Sequence, residues 1–472
     1  MLATTMSFRW YQAAVSICVL AMSLAALAFS TPKALAQDDN VSSGNYLRLP
    51  VDQKLAKRVK SSRINVILRE GFSPATEKVF AEYYQKCVFP LWTDPANFSV
   101  QGKVKDTKTP REKILADLRR AKSGSSTYGR VNSLVKDQMI EFVKGNYHPA
   151  TRFNAMLTLG ELNEEKPGFG DDPKPLASAL PLLLSAATND NLPDSVRLAA
   201  MLGLVRHGKY GAKDQDSRNK ISNLMLTTAT TRIAPQGRTK DGHAWFRRLA
   251  IDMLGRFGTP GQNGVVAKAL ANIVAESEAP LSVRCEAAKA LGWLALNPNS
   301  GVDPGTVARA LDDLFVDVCK EEIELGKEDE DYVINVRRLK ARLADILAAL
   351  SGSTDRENTS GRGISPLATK PEDAELVRSL KADIEKLMNR EHLDHADLTP
   401  KDENPKKKKA DEKKTPGMGR EPGLPEEFGP PGPMRMGGMM GGVQPGQPDP
   451  AKAVSDKIMA ELIRLVKKRG EG

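Results

Sequence analysis

Residues 281–295 read Leu-Ser-Val-Arg-Cys-Glu-Ala-Ala-Lys-Ala-Leu-Gly-Trp-Leu-Ala, and this stretch decides the fold. Apolar side chains recur in it at the i, i+4, i+8 and i+11 positions, which lie on one face of a helix; they are Val283, Ala287, Leu291 and Leu294. Gly292 interrupts this strong helix former. We expect the glycine to mark close packing against a neighbouring helix rather than a helix end.

The same pattern returns along the chain. Its arginine recurs at intervals of 45, 50, 37 and 53 residues, at Arg152, Arg197, Arg247, Arg284 and, as a poorer match, Arg337. Three residues after each of the first four arginines stands an alanine, and seven residues after each stands a leucine. Another apolar helix precedes each copy. The repeating unit is therefore a pair of helices of about 40–50 residues, and we expect each arginine to bridge neighbouring units.

The Val-Arg-x-x-Ala-x-x-Ala-Leu-Gly pattern of residues 283–292 resembles the second helix of HEAT repeats. The resemblance extends over residues 126–352, with an insertion at 235–242 and Lys340 in place of an alanine. Asp194 is only a loose counterpart of the family's acidic residue before the arginine. The resemblance implies an all-α, HEAT-like α-solenoid of about five helix pairs, which binds other proteins on its concave face.

The region before the repeats is predicted to be an N-terminal helical cap, because a repeat array must cover its first apolar face. This cap spans residues 37–125. Within it, the pattern predicts helices at 75–87 and 111–121 and a short strand at 64–68.

Residues 1–36 predict an export signal. An apolar run follows Arg9, and Ala34-Leu35-Ala36 supplies the small residues of a signal-peptidase site. The chain is therefore expected to be exported, to a periplasmic or extracellular location. The alternative is an uncleaved N-terminal membrane anchor, since the apolar run approaches the length of a membrane span.

The region after the repeats changes in character. We expect a polar linker at 353–370, an amphipathic helix at 371–395, a disordered tract rich in Lys, Pro, Gly and Met at 396–450, and a second amphipathic helix at 451–472. The last helix presents Ile458, Leu462 and Val466 on one face. It either folds back as a cap on the solenoid or serves as a tethered docking helix for another protein. A third hypothesis is a helix that lies on a membrane surface, but the mixed charges on the polar face of this helix disfavour it.

Composition sets limits on partners and on chemistry. The net charge is +10, and Arg9 and Lys33 account for two of these charges, so residues 37–472 carry +8. This modest excess does not demand a nucleic-acid partner, and none is expected. Beyond the export segment the cysteines are Cys87, Cys285 and Cys319. Buried thiols are the default, with a Cys285–Cys319 disulfide as the alternative.

No catalytic, cofactor or metal site is predicted. The chain lacks a phosphate-binding loop and a serine nucleophile turn. The histidines are assigned structural roles, and a metal site at the last two lacks further ligands; they are His148, His207, His243, His392 and His395. The acidic run 321–331 is interpreted as a solvated helix end, and the glycine-rich 258–264 as a connection between helices.

Surface recognition is the remaining functional signal. Trp245, Phe246 and Arg248 begin one motif helix and have the composition of an interface anchor. Burial of at least one of the two aromatic rings between repeats is the alternative. We therefore expect a non-catalytic, exported protein-binding scaffold with no cofactor, whose contacts are these residues and Ile458, Leu462 and Val466. The alternatives are an enzyme or a binder of polyanionic envelope polymers built on the same solenoid.

Overall fold

The computed structural model describes residues 45–98, 109–123, 126–168, 170–211, 214–329, 331–352, 363–388 and 450–470. Within these ranges it contains 16 α-helices packed against their neighbours and no β-strand. The predicted all-α, solenoid-like class is confirmed. The predicted export segment, the tract 396–449, His392 and His395 lie outside the described residues.

The helices fall into an N-terminal group, a series of pairs and two late helices. They are α1 (Gln53–Arg58), α2 (Ser61–Glu70), α3 (Pro74–Tyr83), α4 (Pro110–Arg120), α5 (Ser126–Lys144), α6 (Pro149–Glu161), α7 (Leu180–Thr188), α8 (Asp194–Tyr210), α9 (Gln215–Thr230), α10 (Lys240–Phe257), α11 (Val265–Val274), α12 (Leu281–Trp293), α13 (Pro304–Glu328), α14 (Val336–Ser351), α15 (Pro371–Met388) and α16 (Pro450–Gly470).

One prediction for the N-terminal group is wrong. Residues 64–68 belong to helix α2 and not to a strand. Ile64, Ile67 and Leu68 are buried, and their i, i+3, i+4 spacing is the helical one, which outweighs the β-branched character of the run. The predicted helix 75–87 is α3 followed by a π-helical turn, Tyr84–Val88.

The motif arginines occupy equivalent positions in four helix pairs. In each pair the Nε of the arginine, on the second helix, donates a hydrogen bond to a carbonyl in the last turn of the first helix. The bonds are Arg152 to Val143 (3.0 Å), Arg197 to Ala187 (3.4 Å), Arg247 to Ala229 (3.0 Å) and Arg284 to Val274 (2.8 Å). These four bonds lie within a pair and do not themselves bridge neighbouring units. Arg247 also donates two hydrogen bonds to Glu276, which follows α11 in the next pair, and so bridges two units as predicted.

Small residues bring successive second helices together. A Cβ on Gly160 of α6 would lie 2.7 Å from the Cα of Gly203 in α8, and a Cβ on Gly255 of α10 would lie 2.9 Å from the Cα of Ala290 in α12. A Cβ on Gly292 would overlap the backbone carbonyl of Ala348 in α14. The prediction of close packing at Gly292 is confirmed.

The chain divides into two compact units, of which the first comprises Met1–Leu314 and Asp345–Val377, and the second Phe315–Ala344 and Arg378–Gly472. The first four helix pairs lie in the first unit. The predicted boundaries of the cap, repeats, linker and arm remain predictions.

Helix α16 packs inside the second unit. Its Ile458 and Leu462 are buried, and Val466 is half-buried. Ser455 Oγ accepts a 3.0 Å hydrogen bond from the backbone N–H of Ile334. The chain itself thus covers Ile458 and Leu462, which the docking-helix interpretation required to be exposed. Such a cover is favourable, since an exposed apolar stripe is unfavourable in water.

Candidate functional site

The residues predicted to begin an interface on α10 separate into two environments. Trp245 and Arg248 are half-buried at the surface, whereas Phe246 is buried. A helix turns about 100° per residue, so consecutive side chains face different sides. Phe246 therefore belongs to the interior, and its prediction as a partner contact is corrected.

Trp245 and Arg248 belong to a larger band of aromatic and charged side chains on α10 and α12. We call this band the tryptophan seam; it consists of Trp245, Arg248, Asp252, Arg256, Glu286, Lys289 and Trp293. The Arg248 guanidinium lies 4.9 Å from the Trp245 ring centroid. Arg256 and Lys289 lie 5.2 and 5.0 Å from the ring centroid of Trp293. Cation–π contacts thus hold both tryptophans in defined positions.

Carboxylates link the cations of the seam. Glu286 is buried and forms an ion pair with Lys289, and its Oε2 lies 3.7 Å from Arg248 Nη2. Arg256 Nε donates to Asp252 at 2.7 Å. The Nε of Arg248 is buried and has no hydrogen-bond partner among the described residues. A buried donor without an acceptor is uncommon in native proteins.

Asp345 of α14 adjoins the charges of the seam. Burial raises the pKa of its carboxyl to about 7, and the negative charge of Glu286 adds to this rise, while Lys289 and Arg248 oppose it. Burial also disfavours the charged form of Lys289, but Glu286 and Asp252 outweigh it and raise the pKa of the amine. Asp345 therefore changes its charge near neutral pH.

A second arrangement fixes the loop before α10. Arg238 donates two hydrogen bonds of 2.7 Å to the two carboxylate oxygens of Asp194. Its guanidinium carbon lies 3.9 Å from the ring centroid of Phe246. His243 Nε2 donates to the Thr231 carbonyl at 2.8 Å, so Nδ1 faces Arg238 Nη1 at 3.5 Å as the acceptor. We call Arg238, Asp194, Phe246 and His243 the loop latch.

The titration of the latch follows from its surroundings. Burial lowers the pKa of His243, and the Arg238 and Arg247 charges lower it further. Burial pushes the pKa of Asp194 upwards, but the hydrogen bonds and charge of Arg238 outweigh burial and hold that pKa below its ordinary value. His243 is therefore neutral and Asp194 ionised at neutral pH.

An open cleft lies beside the latch. Its volume is about 1,110 Å³, and it is lined by the 232–234 loop, the first turn of α10 and residues 275–280. A smaller cleft of about 330 Å³ shares Arg232, Asn272 and Glu276 with it. The two clefts are thus neighbouring parts of one depression in the first unit.

The other predicted positions have structural environments. His148 Nδ1 accepts a hydrogen bond from the Ala150 N–H, and burial lowers the pKa of His207 to about 4. Cys87, Cys285 and Cys319 are buried thiols.

No group of three or more His, Cys, Asp or Glu side chains in the described ranges is arranged to hold a metal ion. Where the chain is described, no helix has both the length and the apolar character of a membrane span.

The acidic run is not wholly solvated, in contrast to the prediction. Glu322 is buried and accepts hydrogen bonds from Arg338 at 2.7 and 3.0 Å and from the Tyr332 hydroxyl at 2.6 Å. A buried carboxylate requires such donors, because burial of an unpaired charge is strongly unfavourable. Glu322 therefore has a structural role in the second unit.

Several functional candidates carried no sequence signal of their own. Asp345 follows an ordinary helical pattern, and its altered pKa arises only when α14 lies against the charges of α12. Arg238 and Asp194 are 44 residues apart, so their pairing depends on the packing of two helix pairs. The insertion 235–242 was the one visible indication of the loop.

Comparison with protein-family models finds no match for this chain. A search of curated proteins also finds no match.

Proposed function

We propose that the chain is a non-catalytic, HEAT-like scaffold that binds another protein through the accessible part of the tryptophan seam, Trp245 and Arg248. The observation that supports this proposal is the ordered pair Trp245 and Arg248, with the guanidinium 4.9 Å from the ring centroid. Tryptophan and arginine are the residue types that dominate binding energy at protein interfaces. Both side chains are accessible in part, so a partner can cover them without unfolding the helix pair.

The seam is organised before a partner binds. Its cations are held by tryptophan rings and by the carboxylates of Asp252 and Glu286. Side chains that are already ordered lose little entropy on binding, which favours affinity.

The proposal includes export, on the sequence of residues 1–36. An exported scaffold would meet its partner in the periplasm or outside the cell. N-terminal sequencing of the protein recovered from cell fractions tests this part, and a mature chain that begins at Gln37 is the expected result.

The binding proposal is tested by crosslinking and mass spectrometry in cells that express the full chain. We expect Trp245→Ala and Arg248→Ala each to remove at least one partner that crosslinks to α10 or α12, with a loss of about 2 kcal/mol in affinity. The matched controls are Leu47→Ala and Arg130→Ala, at exposed positions in other helices or loops of the chain.

The controls separate binding from folding. Circular dichroism must show the same helix content for all four variants. A partner list that is identical for the parent, both seam variants and both controls would contradict the proposal.

A further inference from the structure

The 1,110 Å³ cleft beside the loop latch is a second candidate binding site, separate from the tryptophan seam. The largest cavities that hold drug-sized ligands are about 1,000 Å³. The cleft is open and is continued by the smaller one at Arg232, Asn272 and Glu276. Because the cleft is open and is continued by a second one, its shape suits an extended segment of polypeptide better than a compact small molecule.

The cleft has an apolar part. Ile233 is 84% exposed, the highest value among the large apolar side chains of the described residues. Ala234, Ala244 and Ala275 line the cleft with it, and the smaller cleft adds Val265, which is 45% exposed. An aliphatic side chain of a ligand would cover these groups and remove apolar surface from water.

The charged side chains of the lining have a net positive charge. Arg247 is buried and donates to both carboxylate oxygens of Glu276, at 3.2 and 2.9 Å, so these two charges offset each other. Arg232 is an exposed second cation on this carboxylate, with its Nε 3.5 Å from Glu276 Oε2. Lys240 is an exposed cation and Lys268 lines the smaller cleft, whereas Glu278 is the remaining anion. The ligand that complements this lining carries negative charge.

We propose that this cleft binds an extended peptide segment of a partner protein that carries carboxylates beside an aliphatic residue. Isolated carboxylates would pair with Arg232 and Lys240, and the aliphatic side chain would lie against Ile233. A dense polyanion fits less well, because Glu276 and Glu278 would face its charges.

The latch prepares the cleft for such a ligand. The Arg238–Asp194 pair and the His243–Thr231 hydrogen bond hold both ends of the loop that carries Arg232 and Ile233. A loop already fixed in place loses less conformational entropy when a peptide binds.

Fluorescence polarisation with the full chain tests the proposal. The probe is a fluorescein-labelled octapeptide, Gly-Ser-Asp-Ile-Glu-Val-Ser-Gly. Three matched control peptides are used. In the first, lysine replaces the Asp and Glu of the probe; in the second, Asn and Gln replace them; in the third, serine replaces its Ile and Val. We expect the parent probe to bind at least tenfold more tightly than each of them.

Variants of exposed residues locate the binding. Lys240→Glu and Ile233→Asp are each expected to weaken binding of the parent probe at least tenfold. The matched controls are Lys144→Glu and Val66→Asp, exposed residues outside the cleft, and they should leave the dissociation constant unchanged. Helix content is compared in each case.

The outcomes discriminate between the possible ligands. Equal binding of acidic and lysine peptides, no binding of any peptide, or cleft variants that behave like the controls would overturn the proposal. Inorganic polyphosphate that binds more tightly than the probe and loses affinity in Lys240→Glu would overturn it in favour of a polyanion. Because these variants do not touch the tryptophan seam, the result is independent of the seam proposal.

Discussion

Arg238 joins Asp194 to the ring of Phe246: two hydrogen bonds of 2.7 Å reach the carboxylate, and the guanidinium carbon lies 3.9 Å from the ring centroid. The planar fork of arginine allows both contacts at once. Lysine has the same charge but neither the fork nor the flat surface.

The first prediction concerns this latch. Arg238→Lys is expected to weaken it by about 1–3 kcal/mol, because the paired hydrogen bonds and the stacking are lost. Hydrogen exchange followed by mass spectrometry should show faster exchange in residues 231–239. Arg130→Lys, at a largely exposed ion pair, is the control. Unchanged exchange in the loop would show that the latch does not hold it.

The second prediction compares two helical glycines. Gly292→Ala is expected to lower the free energy of unfolding by about 1–3 kcal/mol, because the new Cβ overlaps the Ala348 carbonyl. Gly129→Ala should raise it by about 0.5–1 kcal/mol, since nothing lies within 4 Å of that Cβ. Urea unfolding measures both. Shifts of the same sign would contradict the close packing at Gly292.

The third prediction concerns the repeated arginine. Arg284→Met should lower the free energy of unfolding by about 2–3 kcal/mol, because a charged hydrogen bond to the Val274 carbonyl is lost in a buried environment. Arg284→Lys should restore only part of this loss. Arg130→Met, which removes an exposed arginine, is expected to change stability by less than about 0.5 kcal/mol. Equal effects of Arg284→Met and Arg130→Met would argue against a role for the carbonyl contact.

The fourth prediction is a pH dependence at Asp345. Its folded pKa, about 7, lies above the ordinary value of 3.8, so the folded chain binds more protons than the unfolded chain between these values. Stability from this group is present at low pH and is lost as the pH rises towards 7. Asp345→Asn should therefore raise Tm at pH 8 and leave it nearly unchanged at pH 4.

Asp137→Asn, at an exposed carboxylate, is the control for this pH series. The measurement is thermal unfolding from pH 4 to pH 8. A difference in Tm between Asp345→Asn and the parent that does not vary with pH would refute the assignment.

The fifth prediction concerns the packing of α16 in the second unit. Arg469 is almost fully buried, and its Nη2 donates to Asp383 at 2.6 Å, while Lys468 donates to the same carboxylate at 3.0 Å. Asp383→Asn should cost about 3 kcal/mol, because it removes the carboxylate from a buried cation. Asp456→Asn, at an exposed ion pair, is the control, and similar urea midpoints for the two variants would contradict the prediction.

Local patterns in the sequence were sufficient to predict the helix pairs. The arginine, alanine and leucine of each copy are buried or bonded in equivalent ways, because a repeat places the same residue in the same surroundings. Gly292 was informative for the same reason. The short strand expected at 64–68 failed because β-branched residues also occur in helices when their spacing suits a buried face.

Contacts between residues that are distant in the sequence could not be predicted from such patterns. Arg238, which stacks on Phe246, pairs with Asp194 from 44 residues earlier in the chain. Helix α16 likewise contacts a part of the second unit that is far away in the sequence, as the Ser455–Ile334 hydrogen bond shows. An amphipathic stripe predicts that a helix is covered, but it does not name the covering residues.

The position of the arginine hydrogen bonds has an evolutionary consequence. Arg152, Arg197 and Arg284 each find the carbonyl they need inside their own helix pair. A gene duplication that copies one whole pair therefore brings its own donor and acceptor together, and a deletion of one whole pair removes both. Arg247, which also donates to Glu276, is bonded in addition to the pair that follows its own.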